Sequence, residues 1–152
     1  MKPSEQLAQL NLSLPSVAAP VGSYIPAIRS GSTVMTSGQL PFRDGQVVYA
    51  GKVPDDVTVE DAADGAAIAV LNALAAAAQV AGGVDEIARV VRVAVFVNSS
   101  PDFGAQPTVA NGASDLLAKI FGHNGKHARA AIGASALPLN AAVEVELTVE
   151  TA

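Results

Sequence analysis

The sequence predicts an α+β fold, a two-layer sandwich in which a mixed β-sheet carries two helices on one face. Three observations predict it. Ile87 to Asn98 alternates valine with other residues at the period of a strand, with Val91, Val93, Val95 and Val97 on one side. Val59 to Ala81 repeats Ala, Ile and Leu at helical spacing and stops at Gly82-Gly83. The elements then succeed one another as β-β-β-α-β-α-β-β, an order in which both helices lie on a common face of one sheet. The opposite face is left bare, and a sheet so rich in Val and Ala predicts self-association there.

Each element has its own signal. Ser4 is placed to cap a brief helix carrying Leu7 and Leu10. Pro15, Pro20 and Pro26 keep the following chain irregular. Ala27–Gly31 and Thr33–Ser37 read as two short strands about Gly31-Ser32. The turn Arg43-Asp44-Gly45-Gln46 leads into a third strand, Val47-Val48-Tyr49. Thr58, with Asp61 three residues on, marks the start of the first long helix. Pro107 and Thr108 open the second, whose buried stripe is read as Leu116, Leu117 and Ile120. Two strands, about Ala128–Ala134 and Ala142–Glu150, finish the chain around a Leu137-Pro138 turn. One domain, 21–152, follows an N-terminal extension, 1–20.

Composition narrows the function classes. The 152 residues are half apolar but only 4% aromatic, so the core is built from Ala, Val, Leu and Ile. Nine basic against 14 acidic residues give a net charge of -5, which disfavours nucleic acid as a partner. With no cysteine, disulfides, thiolate zinc sites and cysteine nucleophiles are excluded. Met1-Lys2-Pro3-Ser4-Glu5 lacks the pattern of a signal peptide. The apolar region Ala66–Ala81 is interrupted by Asn72 and Gln79 and is short for a bilayer. A cytoplasmic protein with no membrane partner is expected.

A few residues carry chemistry. Arg129 lies in the small, apolar run His127-Ala128-Arg129-Ala130-Ala131-Ile132-Gly133. Its guanidinium is always charged, and nothing in its own segment pairs with it. Either it reaches solvent, or it holds a carboxylate, whether a ligand's or that of Glu144 or Glu146 across a terminal hairpin. Glu144 and Glu146 share the strand face opposite Val143, Val145 and Val149, which reads as a solvated face or as a base at a site. Tyr24 is a loop tyrosine suited to donating a proton, to closing a cleft or to simple packing. Ser37 has no Asp-His partner pattern and is no nucleophile; it is suited to hydrogen-bonding ligand or water. His123 and His127 are four apart, but surrounding glycines break helical geometry, so they read as surface or cleft-lip residues rather than metal ligands.

Set in order, several pieces resemble one family. These are Val21-Gly22-Ser23-Tyr24, Thr36-Ser37-Gly38-Gln39-Leu40-Pro41, Val95-Phe96-Val97-Asn98, Asp102-Phe103, Ala128-Arg129, Leu137-Pro138 and Val143-Glu144-Val145-Glu146. Together they are similar to the RidA/YjgF family of imine deaminases over about Val21 to Val149. The resemblance implies a chorismate-mutase-like fold, a homotrimer and ligand clefts between adjacent subunits. It implies hydrolysis of 2-imino or enamine acids to 2-oxo acids and ammonia, without metal or organic cofactor. It assigns carboxylate binding to Arg129, action on water to Glu144 and a polar pocket role to Tyr24. Ser37, Gly38, Ala131 and Asn111 fall at substrate-binding positions. Many members carry cysteine where this chain has Ala131, and an aromatic residue where it has Gly112-Ala113-Ser114-Asp115 after Asn111. The segment Gly122–His127 and the N-terminal extension are also longer here. A small-carboxylate-binding or regulatory module without turnover is the alternative reading; RNA cleavage conflicts with the charge.

Overall fold

In the computed structural model, which describes residues 1–20 and 22–152, ten elements follow the chain. They are α1 (Pro3–Gln9), β1 (Ala27–Ser30), β2 (Thr33–Thr36), β3 (Phe42–Arg43), β4 (Gln46–Val47), α2 (Val59–Ala81), β5 (Ile87–Asn98), α3 (Gln106–Phe121), β6 (Ala128–Ala134) and β7 (Val143–Thr151). Val21, which opens both the Val21-Gly22-Ser23-Tyr24 motif and the expected domain, lies outside the described residues. Five strands form one mixed sheet in the order β1-β2-β7-β5-β6. β6 runs parallel to β5, while the other neighbours are antiparallel. α2 and α3 lie side by side against the face bearing Val93, Val95, Val143, Val145 and Leu147. The predicted α+β class and the placement of its helices are therefore observed.

α2 forms because Thr58 accepts the Asp61 N–H at 3.1 Å and because alanine has the best helix propensity. It ends where Gly82 takes a left-handed φ of 97°. Its small side chains let α3 approach closely: a Cβ added to Gly112 would lie 1.9 Å from the Ala63 carbonyl oxygen. By length and composition α2 could cross a membrane, but 67% of its apolar window is buried within the fold, where it is the core helix.

The structure departs from the expected elements in five places. Ser4 does not cap α1, which begins at Pro3 behind Lys2. Its hydroxyl and N–H instead donate to Asp85, at 2.6 and 2.9 Å, tying α1 to the turn before β5. The third strand is only Gln46–Val47 and pairs with Phe42–Arg43 in a separate small ribbon. Tyr49 turns out of it with φ of 65° and donates to Asp64 at 2.7 Å. Along β5 the alternation breaks at a bulge between Val90 and Arg92. Val90 and Val93 thus both enter the core, while Val91 is exposed. On α3 the stripe is Val109, Ala110, Ala113, Leu117 and Ile120, with Leu116 at its margin.

The fifth departure matters most for the site. β6 and β7 do not form a hairpin, because β5 lies between them. A strand, a helix and a second strand give a parallel pair, which places β6 on the outer edge of β5. The returning chain is then tied over the end of β5 by buried Asn98. Its side-chain amide donates to the Ala141 carbonyl at 3.1 Å and to Asn140 Oδ1 at 3.2 Å. Lys52 Nζ completes the clasp, reaching Asn98 Oδ1 at 3.0 Å and the Ser135 carbonyl.

Candidate functional site

Between β2 and its continuation the chain bulges away from β7. Thr36 still accepts the Leu147 N–H through its hydroxyl at 3.0 Å, and Gln39 exchanges backbone hydrogen bonds with Val145 at 2.8 and 2.9 Å. Ser37 and Gly38 span the gap. Opposite them, Glu144 occupies the space that a side chain on residue 38 would need: a Cβ on Gly38 would lie 2.8 Å from the Glu144 carboxyl carbon. Glycine at 38 is thus what admits the carboxylate beside the chain.

This carboxylate closes one side of a cavity of about 430 Å³ lined by Ala18, Ala19, Pro20, Tyr24, Pro26, Ser37, Gly38, Gln39, Leu40, Phe42, Pro138 and Glu144. Four of the expected site residues, Tyr24, Ser37, Gly38 and Glu144, meet there. Burial pushes the Glu144 carboxyl above the ordinary carboxylate range, and the charge of neighbouring Glu146 adds to the shift. Ser37 donates its hydroxyl to the Ile25 carbonyl at 2.6 Å, so it holds the Tyr24 loop against the strand and keeps only lone pairs for a ligand.

The other three, Arg129, Ala131 and Asn111, are elsewhere. Arg129 is in register with Val93 and Ala131 with Val95, so both face the helices. Glu144 is in register with Phe96, on the opposite face. Arg129 and Glu144 are also two strand spacings apart, roughly 10 Å of sheet. The expected alternative, an Arg129–glutamate pair across a hairpin, is therefore ruled out within the chain. Arg129 instead donates to Asn111 Oδ1 at 2.7 Å and Ser114 Oγ at 3.2 Å, both on α3. Both acceptors are neutral, and no carboxylate among the described residues pairs with the guanidinium. Its charge remains available to an anion, on an exposed edge strand.

A second set of residues sets that guanidinium's aim. His127 Nδ1 lies 2.6 Å from the Gly125 carbonyl, so this nitrogen carries the proton. In the neutral ring, Nε2 then accepts the Ser114 hydroxyl at 2.9 Å, and Ser114 turns a lone pair toward Arg129. His127 is half-buried, whereas His123 is exposed on the turn Gly122–Gly125. No group of three or more His, Asp or Glu converges as a metal site among the described residues.

Sequence reasoning gave Ser114 no role of its own, read His127 only as a surface or cleft-lip residue, and missed the N-terminal wall of the cavity. Ser114 sits one helical turn after Asn111, so the i, i+3 spacing was a usable signal. Ala18, Ala19 and Pro20 carry no chemical signal and are found only by folding.

Comparison with known proteins agrees with this architecture. A family model described as "YjgF/chorismate_mutase-like, putative endoribonuclease" matches residues 4–151. Protein TCP17 of Trypanosoma cruzi is 41% identical over 145 residues, covering 95% of this chain and 91% of that one. A 2-iminobutanoate/2-iminopropanoate deaminase of Dermatophagoides farinae is 28% identical over 137 residues, 89% of this chain and 91% of its own. A crystal structure from Shewanella oneidensis MR-1, which bears the same endoribonuclease description, superposes with a TM-score of 0.95 at 36% identity over 99% of both chains. The YjgF gene product of E. coli superposes at 0.63 with 26% identity, over 89% of this chain and 93% of that one. The family model matched over residues 4–151 and the agreement of fold establish that this chain belongs to the YjgF/chorismate-mutase-like family, that of RidA.

Proposed function

We propose that the protein hydrolyses 2-imino or enamine acids to 2-oxo acids and ammonia, in a cleft completed by a second copy of the chain. The observation that carries this reading is the division of the site. A carboxylate of raised affinity for protons lines a cavity on one face, and an unneutralised guanidinium stands at the sheet edge on the other. In this reading a neighbouring subunit's edge strand brings the arginine to the cavity. The bare face supplies an interface, since Ile28, Met35 and Ile132 are all about half exposed there, at 56%, 51% and 47%. We assign a homotrimer on the family resemblance, with one cleft at each junction. The deaminase from D. farinae is the relative whose activity supports the reaction.

In this reading Arg129 of one subunit grips the substrate carboxylate through two parallel hydrogen bonds, aimed by Asn111 and Ser114. The imine carbon then lies before Glu144 of the next subunit. Glu144 takes a proton from water as the oxygen adds to the iminium carbon. Glu144 hands that proton to nitrogen and, as the carbon–nitrogen bond breaks, takes the proton of the new hydroxyl, so that ammonia leaves, the 2-oxo acid forms, and the second proton goes on to the ammonia. Tyr24 closes the cleft and donates to the leaving nitrogen or the new oxygen. Ala131 leaves room beside the guanidinium. An iminium is already electrophilic, so positioning carries most of the rate. RNA is a poor substrate for this site: the chain carries net charge -5 and the cavity holds a carboxylate.

The test generates 2-iminopropanoate in situ with a pyridoxal-phosphate enzyme and follows its decay. Wild type accelerates decay, and Arg129→Ala reduces kcat/KM by about 100-fold, as expected for loss of a charged hydrogen-bonding anchor. Equal acceleration by both proteins, or none by either, would overturn the assignment.

A further inference from the structure

The N-terminal segment lies within the family match but before the motifs that begin at Val21, and it forms one wall of the site. Ala18, Ala19 and Pro20 line the cavity that holds Tyr24, Ser37 and Glu144. Ala18, Ala19 and Phe42 also line a second cavity of about 740 Å³, which runs between residues 11–19, the small β3–β4 ribbon and α2. These three side chains are therefore the partition between the two spaces. The segment is held in place rather than draped. Ser4 is bonded to Asp85, Leu7 is buried in the core, the Leu12 N–H donates to the Leu7 carbonyl at 2.9 Å, and Leu14 and Val17 pack on the core's edge.

The site cavity is polarised. Tyr24, Ser37, Gln39 and Glu144 supply its polar part, and Ala18, Ala19, Leu40 and Phe42 supply an apolar part free of ionisable groups. A substrate whose imine carbon faces Glu144 and whose carboxylate is held by an edge arginine has one group left to place, its side chain. We infer that Ala18 and Ala19, with Phe42, form the side-chain end of the pocket and fit the site to 2-imino acids bearing a branched or extended aliphatic side chain. This inference rests on the deaminase reading for its substrate class. Small residues at 18 and 19 set the length admitted, because each methylene fitted or refused in an apolar pocket changes discrimination by about tenfold or more.

The experiment compares the imines of alanine and leucine, generated by an amino-acid oxidase, on wild type, Ala18→Leu and Ala19→Leu. Calorimetry with pyruvate and 4-methyl-2-oxopentanoate runs in parallel. Wild type prefers the leucine-derived imine by at least about tenfold in kcat/KM, and the larger 2-oxo acid binds correspondingly tighter. Either substitution removes this preference, and its loss of kcat/KM falls far more heavily on the leucine-derived imine than on the alanine-derived one. Ala18 is half-buried and Ala19 exposed, so both variants should fold, and an unchanged thermal midpoint verifies it. Hydrolysis whose side-chain preference is the same in all three proteins overturns the wall and leaves the deaminase reading standing. Side-chain discrimination in 2-oxo acid binding that the substitutions abolish, with no imine hydrolysed, overturns the deaminase reading and leaves the wall standing.

Discussion

At the scale of single residues, Glu144 shows how this fold spends stability on a site. Its folded-state pKa is raised above 4.5 by burial and by Glu146. A raised pKa stabilises the fold most fully below the ordinary carboxylate range, and that contribution is lost as pH rises through the folded value. At neutral pH the ionised side chain is therefore a liability, moderated by solvent because the residue is only half-buried. Glu144→Gln should raise the thermal midpoint at pH 7 by about 2 °C while abolishing turnover, the gap closing as pH falls below the raised pKa. Differential scanning calorimetry from pH 4 to 8 checks the sign. A variant less stable than wild type at pH 7 would contradict it. For the wild type, the acid limb of kcat/KM should lie above the ordinary carboxylate range, since Glu144 must be ionised to accept a proton.

Among the elements, the contact between α2 and α3 decides whether the guanidinium is aimed at all, because α3 carries both Asn111 and Ser114. Gly112 lies between these two and meets the backbone of Ala63, where an added Cβ would be 1.9 Å from the carbonyl oxygen. Backbone cannot swing aside as a side chain does, so Gly112→Ala must push the helices apart. Overpacking of this kind costs about 1–3 kcal/mol. Chemical denaturation should show that loss, together with a raised KM as Asn111 and Ser114 shift away from Arg129. The alanine-rich pattern of α2 and the single glycine on α3 are both visible in the sequence. Their contact is not, because nothing local says which residues of two helices touch.

For the whole molecule, the division of the site between opposite faces gives a sharp expectation. Arg129→Ala and Glu144→Ala should each be inactive, yet co-assembled from equal amounts they should regain about a quarter of wild-type activity. Random mixing leaves six of every eight trimers with both variants, and each of those has one junction where an intact arginine meets an intact glutamate. Activity measured after co-refolding checks this. A mixture no more active than either variant alone would show that the two residues do not meet across subunits.

The strands and helices of this chain were legible because each rests on short-range physics. The turn at Gly31, the Thr58 cap, the valine strand and the Gly82 stop are read from neighbours within a few residues. The family motifs, too, are local, so Tyr24, Ser37, Gly38 and Glu144 could be named before they were seen to share a cavity. What local pattern could not settle was pairing. Leu137-Pro138 looks like the turn of a hairpin, but Asn98 draws the returning chain over β5, and β6 and β7 end on opposite sides of that strand. Arg129 and Glu144 consequently face apart, and the Val90–Arg92 bulge puts Val90 in the core in place of Val91, while Val93, Val95 and Val97 stay there as expected. The sequence by itself determined the elements and the chemical groups, through backbone preference and side-chain type. The tertiary structure alone decided which face each group occupies and that Ala18 and Ala19 wall the pocket, because long-range pairing and packing are set by which residues distant in the chain bury one another.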